Sequence, residues 1–171
     1  MSKNYRLYTF INFYLSQIQQ GIQTAHIVHE LFMKYKDLVY RQYEVEQVNA
    51  RVVLHEWAAN HKTIIVLNGG EGRAIAEMLE VTKRFGEKMD LPFVDFHEDE
   101  GLGNIRTGFG IVLPEEIFDA RYANEDGYGD NAIVRKFVFP KEGEASLESV
   151  EYLEGTEEFN FLQLLKQKRL A

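Results

Sequence analysis

One stretch, "KTIIVLNGGEGRAIAEMLEVTKRFGEK", constrains the fold more than any other. A short β-branched run stops at two glycines and gives way at once to apolar residues at helical spacing. The run reads as a buried strand, and the segment after it as a strongly amphipathic helix. A strand that turns directly into a helix is the building unit of layered α/β folds.

The chain begins with the same pairing. "YRLYTFINFYL" is aromatic and β-branched, a buried strand over about Arg6 to Tyr14. Ser16 is an N-cap candidate, and Ser16 to Tyr35 has helical spacing, with Ile18, Ile22, Ala25, Val28, Phe32 and Tyr35 as the stripe expected to meet the core. After a polar linking segment, "NARVVLHEWAANH" reads as a second helix. "LPFVDFH" and "TGFGIVL" read as a third and a fourth strand. The order β-α-α-β-α-β-β predicts an α/β fold, a mixed sheet of four or more strands flanked by helices. Residues 1–116 form this core. Residues 117–171 form an extension packed on the same domain: the polar loop "DARYANEDGYGDN", an extra strand "AIVRKFVF", an acidic linker "KEGEASLESVEYLEGTEE" and the terminal helix "FNFLQLLKQKRLA".

Composition then narrows the function classes. With 171 residues and 45% apolar content, a single folded domain is the expectation. No apolar run approaches the roughly 18 residues of a membrane span, and the first residues lack a signal-peptide layout, so a cytoplasmic protein without membrane contact is expected. The chain has no cysteine, which excludes disulfides and thiolate metal sites. Its net charge of −8 is uneven: residues 91–171 hold 8 basic against 17 acidic side chains. A general nucleic-acid binder presents a basic field, so any RNA contact here is local and belongs to the N-terminal half.

Three His-Glu dipeptides occur, at His29, His55 and His97. A zinc-protease helix needs histidines four apart, whereas His55 and His61 are six apart, about 600° around a helix and hence on different faces. No metal site and no cofactor are expected. "NGGEGRA" is a tight strand-to-helix turn, and a phosphate contact through Arg73 is its minority reading. Gln19, Gln23, His26 and Glu30 lie three and four apart on the first helix and form a polar stripe beside the apolar one. A second polar cluster, "HEDEGLGNIRTG", joins the last two strands, where a glycine-rich turn can approach a substrate. The competing reading of both clusters is a solvated helix face and a solvated turn.

Taken in order, "IQTAHIVHELF", "WAANHKTIIVLNG" and "LPFVDFHEDEGLGNIRTGFGIVLP" resemble the second class of peptidyl-tRNA hydrolases, the archaeal and eukaryotic type, from about Arg6 to Glu116. A fainter resemblance is to small proteins of tailed bacteriophages. The hydrolase resemblance implies a class II-like fold and cleavage of the ester joining a peptide to the tRNA 3′ end. It makes Asp99 and His26 the catalytic candidates, with Asp99 positioning a water or taking its proton. Gln19, Gln23, Gly101, Arg106 and Thr107 become substrate-binding candidates. It also implies tRNA or a small nucleotide as ligand, with a protein partner as the other reading, and a homodimer. Two departures count against full activity. Gln19 stands where the family has a lysine, and Phe109 stands where its threonine follows Gly108, with Thr107 beside it in another register. Ester hydrolysis is therefore expected to be weak or lost, and the alternative is a non-catalytic nucleotide, RNA-end or protein-binding module.

Overall fold

The computed structural model describes residues 4–35, 48–98, 100–122, 132–138, 146–152 and 155–168. Strand β1 (Tyr5–Asn12) leads into helix α1 (Gln17–Tyr35). Helix α2 (Val48–Glu56) ends in a wider π turn (Trp57–His61), with Lys62 in the left-handed region as it passes to β2 (Thr63–Gly70). Helix α3 (Gly72–Lys88), β3 (Phe93–His97) and β4 (Arg106–Pro114) complete the core, and a short helix α4 (Glu115–Phe118) follows. The linking segment expected after α1 lies outside the described residues.

The four strands form one open sheet in the order β2-β1-β4-β3. β1 pairs with β2 in parallel, and β4 runs antiparallel to both β1 and β3. The expected mixed α/β sheet is present. Helices cover both faces. Leu7, Thr9, Ile11, Gly108 and Gly110 face α1, because a Cβ built on Gly110 would lie 2.6 Å from Ile27 Cγ2. The bare backbone of β4 lets α1 lie close to the sheet. On the opposite face Phe10 stacks on Phe109, and α3 packs through Gly86 against Phe93 and Ile111.

Of the stripe expected on α1, Tyr35 is buried and Val28 packs against the core, but the inward face is rotated from the one expected. Gln23, Thr24, Ile27, Leu31 and Tyr35 are buried, whereas Ile18 is 79% and Ile22 49% exposed, and Phe32 also faces outward. The polar Gln23 goes inward because the sheet supplies partners for its amide, and Thr24 finds the Thr9 hydroxyl at 3.4 Å. The other helices follow simple periodicity. Ile75, Met78, Leu79, Thr82 and Phe85 of α3 are buried, and the Thr82 hydroxyl is satisfied by the Met78 carbonyl.

Beyond the core, β5 (Arg121–Tyr122), β6 (Ala132–Val138) and β7 (Ser146–Tyr152) make a second, antiparallel sheet. β7 occupies part of the stretch expected to be an acidic linker. Most of the expected polar loop lies outside the described residues. The terminal helix α5 (Glu157–Gln167) is capped by Thr156, which accepts from the Phe159 N–H, and it packs on α3 through the Phe85–Phe161 stack and the Lys88–Glu158 ion pair. Among the described residues no helix is long and apolar enough to cross a membrane.

Candidate functional site

A bulge in β4 builds the site. Phe96 pairs with Gly108, but the next residue, His97, pairs with Arg106, so Thr107 is an extra residue in its strand. An inserted residue breaks the alternation of side chains and re-aims one of them. Thr107 turns onto the α1 face, and Arg106 is left on the other. There the Arg106 Nε donates to both Asp95 oxygens at 3.1 and 3.2 Å. His97 completes this second cluster, with Nε2 2.9 Å from Asp95 and Nδ1 3.3 Å from the Asn104 carbonyl.

Thr107 meets α1 at Gln23. Its hydroxyl donates to the Gln23 Oε1 at 2.9 Å, and the Gln23 Nε2 donates to Glu98 Oε1 at 2.6 Å. Gln23 is only 7% exposed, so the amide is a buried bridge between a hydroxyl and a carboxylate. Glu98 reaches it because Val94, Phe96 and Glu98 alternate onto the α1 face, and the Glu98 N–H is anchored on the Ile105 carbonyl at 2.9 Å. One turn along α1, the His26 ring lies flat on Phe96, with centroids 5.0 Å apart and planes 3° from parallel.

Of the candidate site residues, Gln23 and Thr107 are in direct contact, and His26 stacks on Phe96 one turn along α1. Gln19 is engaged elsewhere. The Ser16 N–H and hydroxyl both donate to its Oε1 at 2.9 Å, and its own N–H faces the Ser16 hydroxyl at 3.4 Å. This is a capping box, the reciprocal satisfaction of a helix start, and it confines Gln19 to the first turn of α1. Gly101 lies exposed in the 3₁₀ turn Glu100–Leu102, Arg106 belongs to the cluster on the opposite face, and Asp99 is outside the described residues. Glu98 is the participant that the motif comparison misses. The alternation of "FVDFHE" is the signal that could have found it, since it places residues 94, 96 and 98 together.

The chemistry available is that of hydrogen bonding. Both polar ends of Gln23 are occupied, and among the described residues no cation pairs with Glu98. No group of three His, Asp or Glu side chains among the described residues gathers as a metal-ligand set. A hydroxyl, an amide and a carboxylate in line can orient a polar ligand or a water, with the carboxylate as the only strong proton acceptor. Ile18 and Ile22 on α1, and Ile105 just before β4, are exposed. Comparison of the chain with protein-family models, with curated proteins and with solved structures finds no match, so the residues and their geometry carry the functional argument.

Proposed function

We propose that this protein is a peptidyl-tRNA hydrolase-like α/β protein whose ester hydrolysis is weak or lost. The observation that carries the reading is the closed bridge Thr107–Gln23–Glu98, at the edge of the sheet where β1 and β3 end. A hydrolytic site for an ester needs a positioned water, a base, and donors or cations aimed at the developing oxyanion. Glu98 and its neighbour Asp99 are carboxylates suited to the first two tasks. The third is poorly served. Gln23 spends its donor on Glu98, Gln19 is confined to the helix cap, and Arg106 is turned to Asp95 on the far face. The second reading, a non-catalytic module that binds a partner or ligand, is favoured by the exposed apolar residues Ile18 and Ile22 on the helix that carries Gln23.

The test is incubation of the full chain with a peptidyl-tRNA. Wild-type turnover should fall far below the typical enzyme rate of about 10 s⁻¹, and Gln19→Lys should raise it by restoring a cation near the helix start. Asp99→Asn and Glu98→Gln should each remove whatever turnover remains. Cleavage at the typical enzyme rate would refute weak activity, and cleavage unaffected by both carboxylate substitutions would refute the site.

A further inference from the structure

We propose that the crevice between the carboxyl ends of β1 and β2 is a second site, one that binds a nucleoside monophosphate. These two strands are adjacent and parallel, yet the helices that follow them leave to opposite faces, α1 to one and α3 to the other. Where successive connections diverge in this way the backbone opens, and open α/β sheets take ligands at such a point. The two lips are Asn12–Phe13–Tyr14 and Gly70–Glu71–Gly72, tied by the Phe13 N–H on the Gly70 carbonyl at 3.2 Å.

Three features of the crevice point to one ligand. The first is an orphaned polar group. Asn12 is only 8% exposed, and its Oδ1 is buried with no hydrogen-bond partner. Alternation along β1 puts Asn12 with Tyr8 and Phe10 on the α3 face. Its cross-strand partner is Gly70, and a Cβ there would lie 3.3 Å from the Cβ of Ala74 in the first turn of α3. The unpartnered Oδ1 thus belongs to the face of β1 on which that helix starts. A buried amide oxygen left unpaired is costly, and a ligand that donates to it removes the cost.

The second feature is the start of α3 itself. This helix is 17 residues long, and Gly70 and Gly72, with φ of 76° and 46°, make the turn into it. Its N-cap residue, Glu71, makes no side-chain cap hydrogen bond. Instead the Glu71 carboxylate takes the Tyr14 hydroxyl, a contact that raises the Tyr14 pKa. The Ala74 N–H turns back on the Glu71 carbonyl at 2.9 Å, so the first-turn donors that face an anion are those of Gly72 and Arg73. The third feature is an exposed aromatic pair. The ring centroids of Phe13 and Tyr14 lie 4.6 Å apart with their planes tilted by 41°, and the two residues are 48% and 59% exposed. Exposed ring faces accept a nucleobase without sequence preference.

An anion at the helix start, a polar group on Asn12 and a ring on Phe13–Tyr14 describe a nucleotide. The charge balance selects a monophosphate. Arg73, in the first turn of α3, is paired with Glu77 at 2.6 Å, and the chain carries a net −8, a balance that disfavours a polyphosphate. The Asn12 amide can present either end, its N–H to phosphate or its oxygen to a ribose hydroxyl. The site lies on the other face of β1 from the Gln23 bridge and does not depend on ester hydrolysis.

The experiment is calorimetric titration of the full chain with AMP, adenosine and inorganic phosphate, with the backbone amides of Gly70 to Ala74 followed by NMR. AMP should bind, and adenosine and phosphate should each bind about tenfold more weakly or worse. Tyr14→Ala should weaken AMP by about fivefold or more through lost stacking. Tyr14→Phe keeps the ring but frees Glu71 to cap α3, and it should weaken AMP while leaving adenosine unchanged. Asn12→Asp should weaken AMP further, and should it fail to fold, the two variants at exposed Tyr14 decide the matter. No AMP binding at millimolar concentration, or equal affinity in wild type and both Tyr14 variants, would overturn the proposal.

Discussion

Thr107→Val is nearly isosteric and removes only the hydroxyl that reaches Gln23. It leaves the Gln23 Oε1 buried without its donor, since that oxygen has Thr107 at 2.9 Å and the residue is 7% exposed. An orphaned buried acceptor costs about 1–3 kcal/mol. Gln23→Leu is the reciprocal change. It orphans the buried Thr107 hydroxyl at a similar cost of about 1–3 kcal/mol, and Glu98, being half-buried, recovers water in place of its amide donor. The double variant removes both partners and leaves neither orphan, so its loss should be well below the sum of the two single losses. A coupling of about 1 kcal/mol or more is expected. The assay is urea unfolding of the four proteins, read as midpoint and slope, with unchanged slopes confirming a native-state effect. Additivity within about 0.5 kcal/mol would show that the two side chains do not share a buried bond, and the site as built from the β4 bulge would fall.

Packing against β4 gives a second prediction: Gly110→Ala should cost about 1–3 kcal/mol by forcing Ile27 Cγ2 away, and Ile27→Leu, which lacks that methyl, should recover part of it in thermal unfolding. Ser16→Ala, which removes one half of the capping box, should cost about 1 kcal/mol and lower helix content at the start of α1 by amide exchange. Burial raises the pKa of Tyr35, whose hydroxyl also bridges the Phe93 backbone, and the same holds for Tyr8. A raised folded-state pKa means the folded chain holds its proton longer, so this stability is complete below the unfolded value of about 10 and is lost as pH rises through the folded value. The advantage of wild type over Tyr35→Phe in chemical unfolding should therefore shrink above pH about 10, and a constant advantage would refute the linkage. Lys34, whose pKa burial lowers, acts in the opposite sense, but it is common to both proteins and cancels in the comparison.

Much of the fold was legible because it rests on local patterns. The order of core elements, the Ser16 cap and the helix after "NGG" follow from periodicity and turn chemistry within a few residues. The orientation of α1 was not legible for the opposite reason. Ile18, Ile22 and Phe32 look like a core stripe on apolar spacing alone, yet burial of Gln23 is decided by Glu98 and Thr107, 75 and 84 residues away. The close approach that seats Ile27 depends on glycines in β4, which contribute nothing to a hydrophobic pattern. For the site, Gln23 and Thr107 were legible as polar candidates, whereas their contact across 84 residues was not, and Gln19 was grouped with Gln23 by spacing. A local cap holds its side chain at the helix start, and spacing cannot distinguish a cap from a contact. The extra residue in β4 left no mark in the sequence, because "RTGFGIVL" scans as an ordinary strand.

That extra residue has an evolutionary consequence. His97 already pairs with Arg106, and Phe96 with Gly108, so the ladder on either side of Thr107 keeps its register without it. Loss of one codon would delete the site's hydroxyl and leave every other strand pairing in place. Gain of one codon at the same point, in an ancestor with a regular strand, would install a new side chain over α1 in a single step. The function carried by this edge of the sheet can therefore be acquired or discarded by insertion and deletion, with no substitution in the core.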